Sequence, residues 1–529
     1  MIDAIFPKRL GSERPEIRSR GAAPAIGTAP YARRRSDGVA LGLTAIATAA
    51  YLWAAFAAAR HSYWMDEVLA VWTARRGSAA AVWEALRQGA EFSPPLYHYL
   101  LRTLLVLGLD DPVILRLPSI AAIYGVALAA FVLVRRRYGI PVACLALVFC
   151  LAGPLFSYAV QVRQYALVAA CFALACALWD VPAERPVSAL RAAGIAILLS
   201  FAVGMHFYAI LLAVALGLME AGWMIRHRRI RWPIVLALFA SAVSLLCWLP
   251  IMQAVSAFNH GDAAAPGYYA RPTIARLLAT YLLMTAGGDP LPPYPLAIVL
   301  TGLALRWRAG RRALPSGDDL DLVTGVVCAV PLIVYAFALA VTGTFNPRYV
   351  IVTALGISLV VARSVAAHRH GAVLSCVLIP VAIMAFLSGG EPMRTVRRED
   401  AIALVSHAPG ALPIATGNAQ RFFEITEALG RAPSRRLTFL QVTDQGRNPD
   451  PTNEHQVDRW THIDPALPIR PIEPFLADNP EFLLFIDTAI PDMAAAYLQQ
   501  RGYVSTLIMA GSGMTLTRFR RPVSKSEPR

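Results

Sequence analysis

The sequence predicts a mainly α-helical, polytopic membrane protein followed by a smaller α/β domain. Three observations carry that reading. The 529 residues are 57% hydrophobic and only 16% charged, where a soluble chain of this size holds nearer a quarter charged residues. The apolar residues come in blocks, many close to the ~20 needed to cross about 30 Å of hydrocarbon. After residue 390 the blocks give way to short alternating strand and helix patterns.

Residues 1–37 are polar, with Pro and Arg throughout. That is too long for the charged start of a signal peptide, and no clear cleavage site follows. The expectation is a disordered cytoplasmic tail (1–37) and an uncleaved first span at 38–59. A polar stretch with helical patterning then runs to about residue 93. The segment "PPLYHYLLRTLLVLGL" (94–109) is apolar but short, and His98 and Arg102 interrupt it. Further spans are expected at 117–134, 141–158, 166–179, 193–205, 208–225, 233–254, 291–305, 321–342, 349–362 and 371–388.

Orientation turns on 94–109. If it lies along the membrane surface as a juxtamembrane helix, the segments on the N-terminal side of the membrane hold 23 Lys/Arg and the opposite loops hold 10. The excess of positive charge marks the cytoplasmic side. The choice gives about eleven spans, the N-terminus inside and the C-terminus outside. The membrane domain is then 38–390, and 391–529 is a periplasmic α/β domain. In that domain "ALPIAT", "RLTFLQV" and "PEFLLFID" read as strands, "NAQRFFEITEALG" and "PDMAAAYLQQRG" as helices, and "VSTLIMAGSGMTLTRF" as a hairpin turning at Gly511–Gly513.

The net charge of +15 does not point to nucleic acid. No Lys/Arg stretch is interleaved with aromatics as a base-stacking platform would be, and Arg clusters between apolar blocks are topology signals. The seven cysteines all fall inside apolar runs, with no CxxC spacing, and read as small buried residues.

Asp66 and Glu67 sit side by side just beyond the first span, in "HSYWMDEVLAV". Charges at a membrane boundary are costly unless solvated or paired. Taken alone, the pair fits a solvated loop or the acid-favouring first turn of a helix. Other polar residues gather on the same face: Glu91, Tyr97 and His98 in "EFSPPLYHYLL", Arg163 and Tyr165 in "VRQYAL", His206 and Tyr208 in "GMHFYA", and Arg348 and Tyr349 in "NPRYVIV". Each arginine alone could be an interfacial anchor. Together the set can do chemistry. Two acids can act as base or metal ligand, and guanidinium groups fork onto phosphate oxygens.

The ordered series "W-x-D-E", "PPLYHYLL", "LRLPS", "RRRYG", "VRQYAL", "HFYA" and "NPRYV" over about 40–390 resembles the GT-C glycosyltransferases. It is most similar to the bacterial family-39-like branch, which includes lipopolysaccharide galacturonosyltransferases and is related to aminoarabinose-to-lipid-A transferases and protein O-mannosyltransferases. The resemblance implies a bacterial inner-membrane enzyme with juxtamembrane helices in its first outer loop. It implies an inverting transfer from a polyprenyl-phosphate sugar donor to an envelope glycan, lipid or protein acceptor on the periplasmic side. Asp66 would be the catalytic base, and Glu67 would support Asp66 or bind the acceptor. Arg163 and Arg348 would bind the donor phosphate, and Glu91, Tyr97, His98, Tyr165, His206, Tyr208 and Tyr349 would line the substrate site. Two departures stand out. "EFSPP" has Glu91 but no accompanying Lys, and "QVRQY" lacks the carboxylate with which oligosaccharyltransferases hold a metal. The expectation is therefore no metal and no other cofactor.

Three other classes compete. A lipid-carbohydrate flippase or transporter would carry polar residues along the midplane of several spans, whereas these spans are rich in Ala, Leu and Val. An O-antigen-ligase-like enzyme would keep its Arg and His in a large late loop between spans, which this chain lacks. A sensor with an outer binding domain would leave the acid pair unexplained.

Overall fold

The computed structural model describes residues 30–264, 268–286, 299–300, 304, 319–388, 393–430, 436–442, 452–489 and 492–521. The chain is a multi-pass membrane protein. The membrane domain opens with α1 (Pro30–Ala58), so helix begins inside the segment expected as a tail, and residues 1–29 lie outside the described residues. Three short helices follow: α2 (Met65–Ala74), α3 (Ala79–Arg87) and α4 (Leu96–Val106). The 11 residues of α4 reach only about 16 Å at 1.5 Å per residue, half of a bilayer's hydrocarbon, so α4 does not span.

The bundle continues with α5 (Pro112–Tyr138), α6 (Ile140–Ala152), α7 (Phe156–Ala159), α8 (Tyr165–Trp179), α9 (Ala189–Met205), α10 (Ile210–His227), α11 (Trp232–Ser244), α12 (Leu249–Ala264), α13 (Ile274–Ala286), α14 (Asp319–Phe337), α15 (Thr353–Ala366) and α16 (Gly371–Ser388). Local chemistry sets the ends of α5. Asp111 accepts hydrogen bonds from the Val113 and Ile114 N–H groups (2.8 and 3.4 Å), with Pro112 in the first turn where a missing N–H costs nothing. Arg135, Arg136 and Arg137 close the last turn, and Gly139 at φ +83° lets the chain reverse straight into α6. Every side chain of α6 from Pro141 to Ala152 is buried. It is the central helix, packed by α1, α5, α15 and α16.

Among the described residues, five helical stretches are long and apolar enough to cross a membrane by themselves, and six apolar helices are shorter. Large apolar side chains such as Trp53, Leu236, Phe239 and Leu278 stand exposed around the bundle, as lipid-facing surfaces require. Two differences from the expected spans have physical causes. The span expected at 233–254 runs on as α12 to Ala264 through the polar Gln253, Asn259 and His260, and α13 packs on α14 and α15 where only loop was expected. Most of the span expected at 291–305 lies outside the described residues. All seven cysteines are unbridged, and Cys247 is exposed rather than buried.

The C-terminal domain has α17 (Met393–Ser406), α18 (Ala419–Leu429), α19 (Thr452–Ile463), α20 (Ile472–Asp478) and α21 (Met493–Gln500) around one six-stranded sheet, β3-β2-β1-β4-β6-β5. The strands are β1 (Ile414–Thr416), β2 (Leu437–Gln441), β3 (Ile469–Pro471), β4 (Glu481–Asp487), β5 (Val504–Gly511) and β6 (Met514–Arg520). β3, β2, β1 and β4 are parallel, while β6 and β5 are antiparallel. The hairpin turns at Ser512 and Gly513, both at positive φ, as a tight hairpin turn demands.

Candidate functional site

The loops after α1, before α4, before α8, before α10 and before α15 meet at one end of the bundle. There α2 presents Asp66 and Glu67 in its first turn. The two adjacent carboxylates have opposite environments. Glu67 is buried (1% exposed). It accepts a two-pronged pair of bonds from Arg116 (3.0 and 2.8 Å), one from the Trp64 N–H (3.1 Å) and one from the Val162 N–H (2.6 Å). The Trp64 bond is half of a capping box, which fixes where α2 starts. Arg116 in turn donates to the carbonyls of Ala59 and His61 (2.7 and 2.8 Å). Glu67 thus ties three segments together and has no oxygen to spare for chemistry.

Asp66 points the other way. One oxygen accepts from Arg348 Nη1 at 2.5 Å. The other makes no hydrogen bond among the described residues, and the side chain is 22% exposed. Arg348 Nη2 also donates to the Tyr269 hydroxyl (3.1 Å). Arg163 donates to the Asp66 carbonyl (2.8 Å) and to the Glu91 carboxylate. His98 Nε2 lies 3.0 Å from the other Glu91 oxygen. Burial alone would raise the Glu91 carboxyl, but the Arg163 guanidinium and the His98 hydrogen bond hold it below the ordinary carboxylate value. The two guanidiniums flank one ring, with Tyr165 5.5 Å from Arg163 and 5.6 Å from Arg348. The Nε atoms of both arginines are buried with no partner among the described residues.

Non-helical segments place these groups. Asn346 caps the turn that carries Arg348, accepting from the Arg348 N–H (3.2 Å). His206 is extended between α9 and α10, and its Nδ1 accepts from the Tyr208 N–H (3.2 Å). Burial, with Arg348 and Arg163 nearby, lowers the His206 pKa to about 3, so the ring is neutral at physiological pH. Tyr208 and Tyr349 stack at 4.5 Å, and His206 lies 4.9 Å from Tyr349. These rings and Arg348 line a narrow crevice together with the apolar Val168, Leu212 and Val352.

Two solved structures share this architecture along nearly the whole chain. ArnT from Cupriavidus metallidurans bound to undecaprenyl phosphate aligns with a TM-score of 0.58 and 12% identity, over 92% of this chain and 99% of that one. The same protein in the apo state aligns with a TM-score of 0.58 and 11% identity, over 90% and 98%. The chain has the GT-C fold. At these identities the likeness is one of fold. A looser alignment, to the Archaeoglobus fulgidus oligosaccharyltransferase, has a TM-score of 0.41 and 10% identity, over 89% and 72%. No family model and no curated protein matches the sequence.

Within this GT-C fold the expected residues divide by whether they line the crevice or stand beside it, with Arg163 buried between Asp66 and Glu91. Asp66, Arg348, Tyr165, His206, Tyr208 and Tyr349 line the open side of the cluster or its crevice. Glu67, Glu91, Tyr97 and His98 do not. Tyr97 and His98 are fully buried, because the first turn of α4 faces α2 and α9 rather than the loop's open side. They were expected to touch substrate; the structure makes His98 a support for Glu91 instead. Glu67, expected to support Asp66 or bind the acceptor, is buried with both oxygens already occupied by Arg116, Trp64 and Val162. Sequence reasoning missed Tyr269, although the pair "YY" beside Arg271 is an aromatic signal in an outer loop. It also counted Arg116 only among the ten Lys/Arg of the outer loops, although it sits in "LRLPS", among the motifs that carry the resemblance.

Proposed function

We propose that the protein is an inverting glycosyltransferase that takes a sugar from a polyprenyl-phosphate donor at this end of the bundle. The observation that carries the reading is the Asp66–Arg348 pair, a partly exposed carboxylate held against a guanidinium that itself lines a crevice with apolar walls. Support also comes from the GT-C fold and from the match to a protein solved with undecaprenyl phosphate. The donor's phosphate lies against Arg348 and Arg163, and its isoprenoid chain follows the crevice wall. A phosphate competes with Asp66 for Arg348, so donor binding frees the carboxylate. Asp66 then takes the proton of an acceptor hydroxyl as that oxygen bonds to the anomeric carbon. The bond from that carbon to the phosphate oxygen breaks, the lipid phosphate leaves with the electron pair, and the configuration inverts. The arginines stabilise the charge on the leaving phosphate, often the largest catalytic contribution. In this reading the acceptor is an envelope glycan, lipid or protein, and the site lies on the periplasmic face of a bacterial inner membrane.

The reading invokes no metal. Each carboxylate of the cluster already faces a guanidinium: Asp66 with Arg348, Glu67 with Arg116 and Glu91 with Arg163. The rate should therefore survive EDTA. The deciding experiment is sugar transfer from a polyprenyl-phosphate donor by purified chain and by Asp66→Asn. Asn keeps the size and most of the hydrogen bonding but cannot take the proton. The loss should be about 10²–10⁴-fold, as for removal of a general base. Full activity in Asp66→Asn would end the assignment.

A further inference from the structure

The C-terminal sheet has a feature that its position makes unusual. The chain runs from β1 outward to β2 and β3, then returns to place β4 on the other side of β1. In open α/β sheets the crevice at the carboxyl ends of two such strands is where ligands bind. In this protein that crevice holds Arg421, which bonds Asp487 at the end of β4 (3.0 Å) and the Glu424 carboxylate on α18 (2.7 Å). The occupant beyond them is the chain's own loop. Glu424 Oε1 accepts the Met65 N–H at the start of α2 (3.3 Å), one residue before Asp66. One turn on, Glu427 accepts from the Trp72 indole (2.6 Å) and from Arg75 (2.7 and 2.9 Å). Trp72 packs edge-on against Phe423 and Trp460 at 5.5 and 5.4 Å. From α17, Glu399 accepts the Ser62 N–H and hydroxyl (2.9 and 2.7 Å), and Arg398 donates to the same hydroxyl (2.7 Å).

The C-terminal domain therefore grips residues 62–75 from both ends. α2 is only 10 residues long, too short to be a stable helix by itself, so its direction is set by what it packs against. Glu67 anchors it to the bundle, and Glu424 and Glu427 anchor it to the sheet domain.

We infer that α18 is a positioning element of the catalytic centre, with Glu424 and Glu427 as positioning residues that aim α2 and so the Asp66 carboxylate. The inference rests on the reading of Asp66 as the base. The C-terminal domain is then a working part of the site and not an appended module.

The test uses the full-length chain in lipid nanodiscs, with Glu424→Gln and Glu427→Gln made separately. Glu424 is buried among charges, so its variant could disturb the domain; Glu427 lies at the boundary and its variant should fold. Amide hydrogen exchange over 65–75 should speed up in both variants, with exchange in α6 and β4 unchanged. With a polyprenyl-phosphate sugar donor, kcat should fall by about tenfold while the donor KM holds, since a small misplacement of a reacting group can cost on the order of 10²-fold. In an Asp66→Asn background the same substitutions should add little, because their effect runs through Asp66. Unchanged exchange over 65–75 in Glu427→Gln overturns the inference. So does faster exchange with kcat intact, or a full additional loss in the Asp66→Asn background. Absence of transfer by the unsubstituted chain would instead sink the glycosyltransferase reading, and the exchange measurement, which needs no substrate, still reads whether α18 holds α2.

Discussion

Asp66 and Glu67 are neighbours of the same chemical type, and their separation into two roles follows from which way a first-turn helical side chain points. Glu67 turns inward and meets Arg116 and two N–H groups; Asp66 turns out and meets Arg348. Glu67→Gln leaves a buried guanidinium without its countercharge. It should cost roughly 1.5–3 kcal/mol of stability, the range for a charged hydrogen bond, seen as a lower thermal midpoint of the purified protein, with activity per folded molecule reduced less than in Asp66→Asn. A midpoint equal to wild type would show that the Arg116 fork contributes nothing net. Arg348→Ala should weaken donor use by more than tenfold, from the loss of about 1.5–3 kcal/mol. Arg348→Lys should recover only part, because an ammonium lacks the fork. Untouched donor kinetics would make Arg348 an anchor only. The sequence placed most of these residues on one face through their spacing from the spans. Only the resemblance separated Asp66 from Glu67; spacing alone could not, because the partner that decides, Arg116, lies 49 residues away on another helix.

At the level of elements, the long apolar helices were legible because about twenty apolar residues in a row have few other solutions. What escaped was amphipathic or short. α13 carries Arg276 among its leucines and so does not read as a span, and α12 outruns its apolar block. β3 is three residues long and ends in Pro471, so neither alternation nor length announces it. The 342–350 segment that presents Arg348 is held by such irregular contacts. The Tyr208 hydroxyl at the head of α10 donates to the Thr344 carbonyl (2.7 Å) and bonds Thr342. The Asn259 side chain donates to the Thr342 carbonyl (3.2 Å). Tyr208 was expected to touch substrate, and its ring does line the crevice, but its hydroxyl is spent on this tie. Tyr208→Phe keeps the ring and removes the tie. It should raise the donor KM by roughly two- to tenfold, the equivalent of about 0.5–1.5 kcal/mol for a neutral hydrogen bond, with the acceptor KM unchanged. Equal effects on both substrates would place the hydroxyl in direct contact with the reacting groups.

For the molecule as a whole, the distribution of charge has two poles. The site end carries the Asp66, Glu67 and Glu91 cluster under the C-terminal domain. The opposite end is a belt of ion pairs: Asp180 with Arg136 and Arg137 (3.0 and 2.7 Å), Asp319 with Arg226 (3.3 Å), Glu220 with Arg231, and Arg363 with Asp321. These pairs neutralise only part of the positive charge expected there: the segments read as cytoplasmic, N-terminal tail included, hold 23 Lys/Arg, against 10 in the inter-span loops of the site side, the C-terminal domain not counted. On the positive-inside rule we propose that the belt lies in the cytoplasm and the site in the periplasm. α4 is the hinge of this argument, because one more span before α5 would invert everything after it. Its 11 residues are too few to cross, and Arg102 donates to the Ala74 and Gly77 carbonyls (3.5 and 2.7 Å), holding α4 against the loop that carries α2. Alkaline phosphatase fused after residue 390 should therefore be active, and the same reporter fused at Arg136 inactive. Green fluorescent protein, which matures in the cytoplasm, should give the opposite pattern at the two positions. Activity at Arg136 with silence after 390 would put the base, the arginines and the C-terminal domain on the cytoplasmic side, and a donor presented in the periplasm could not reach them.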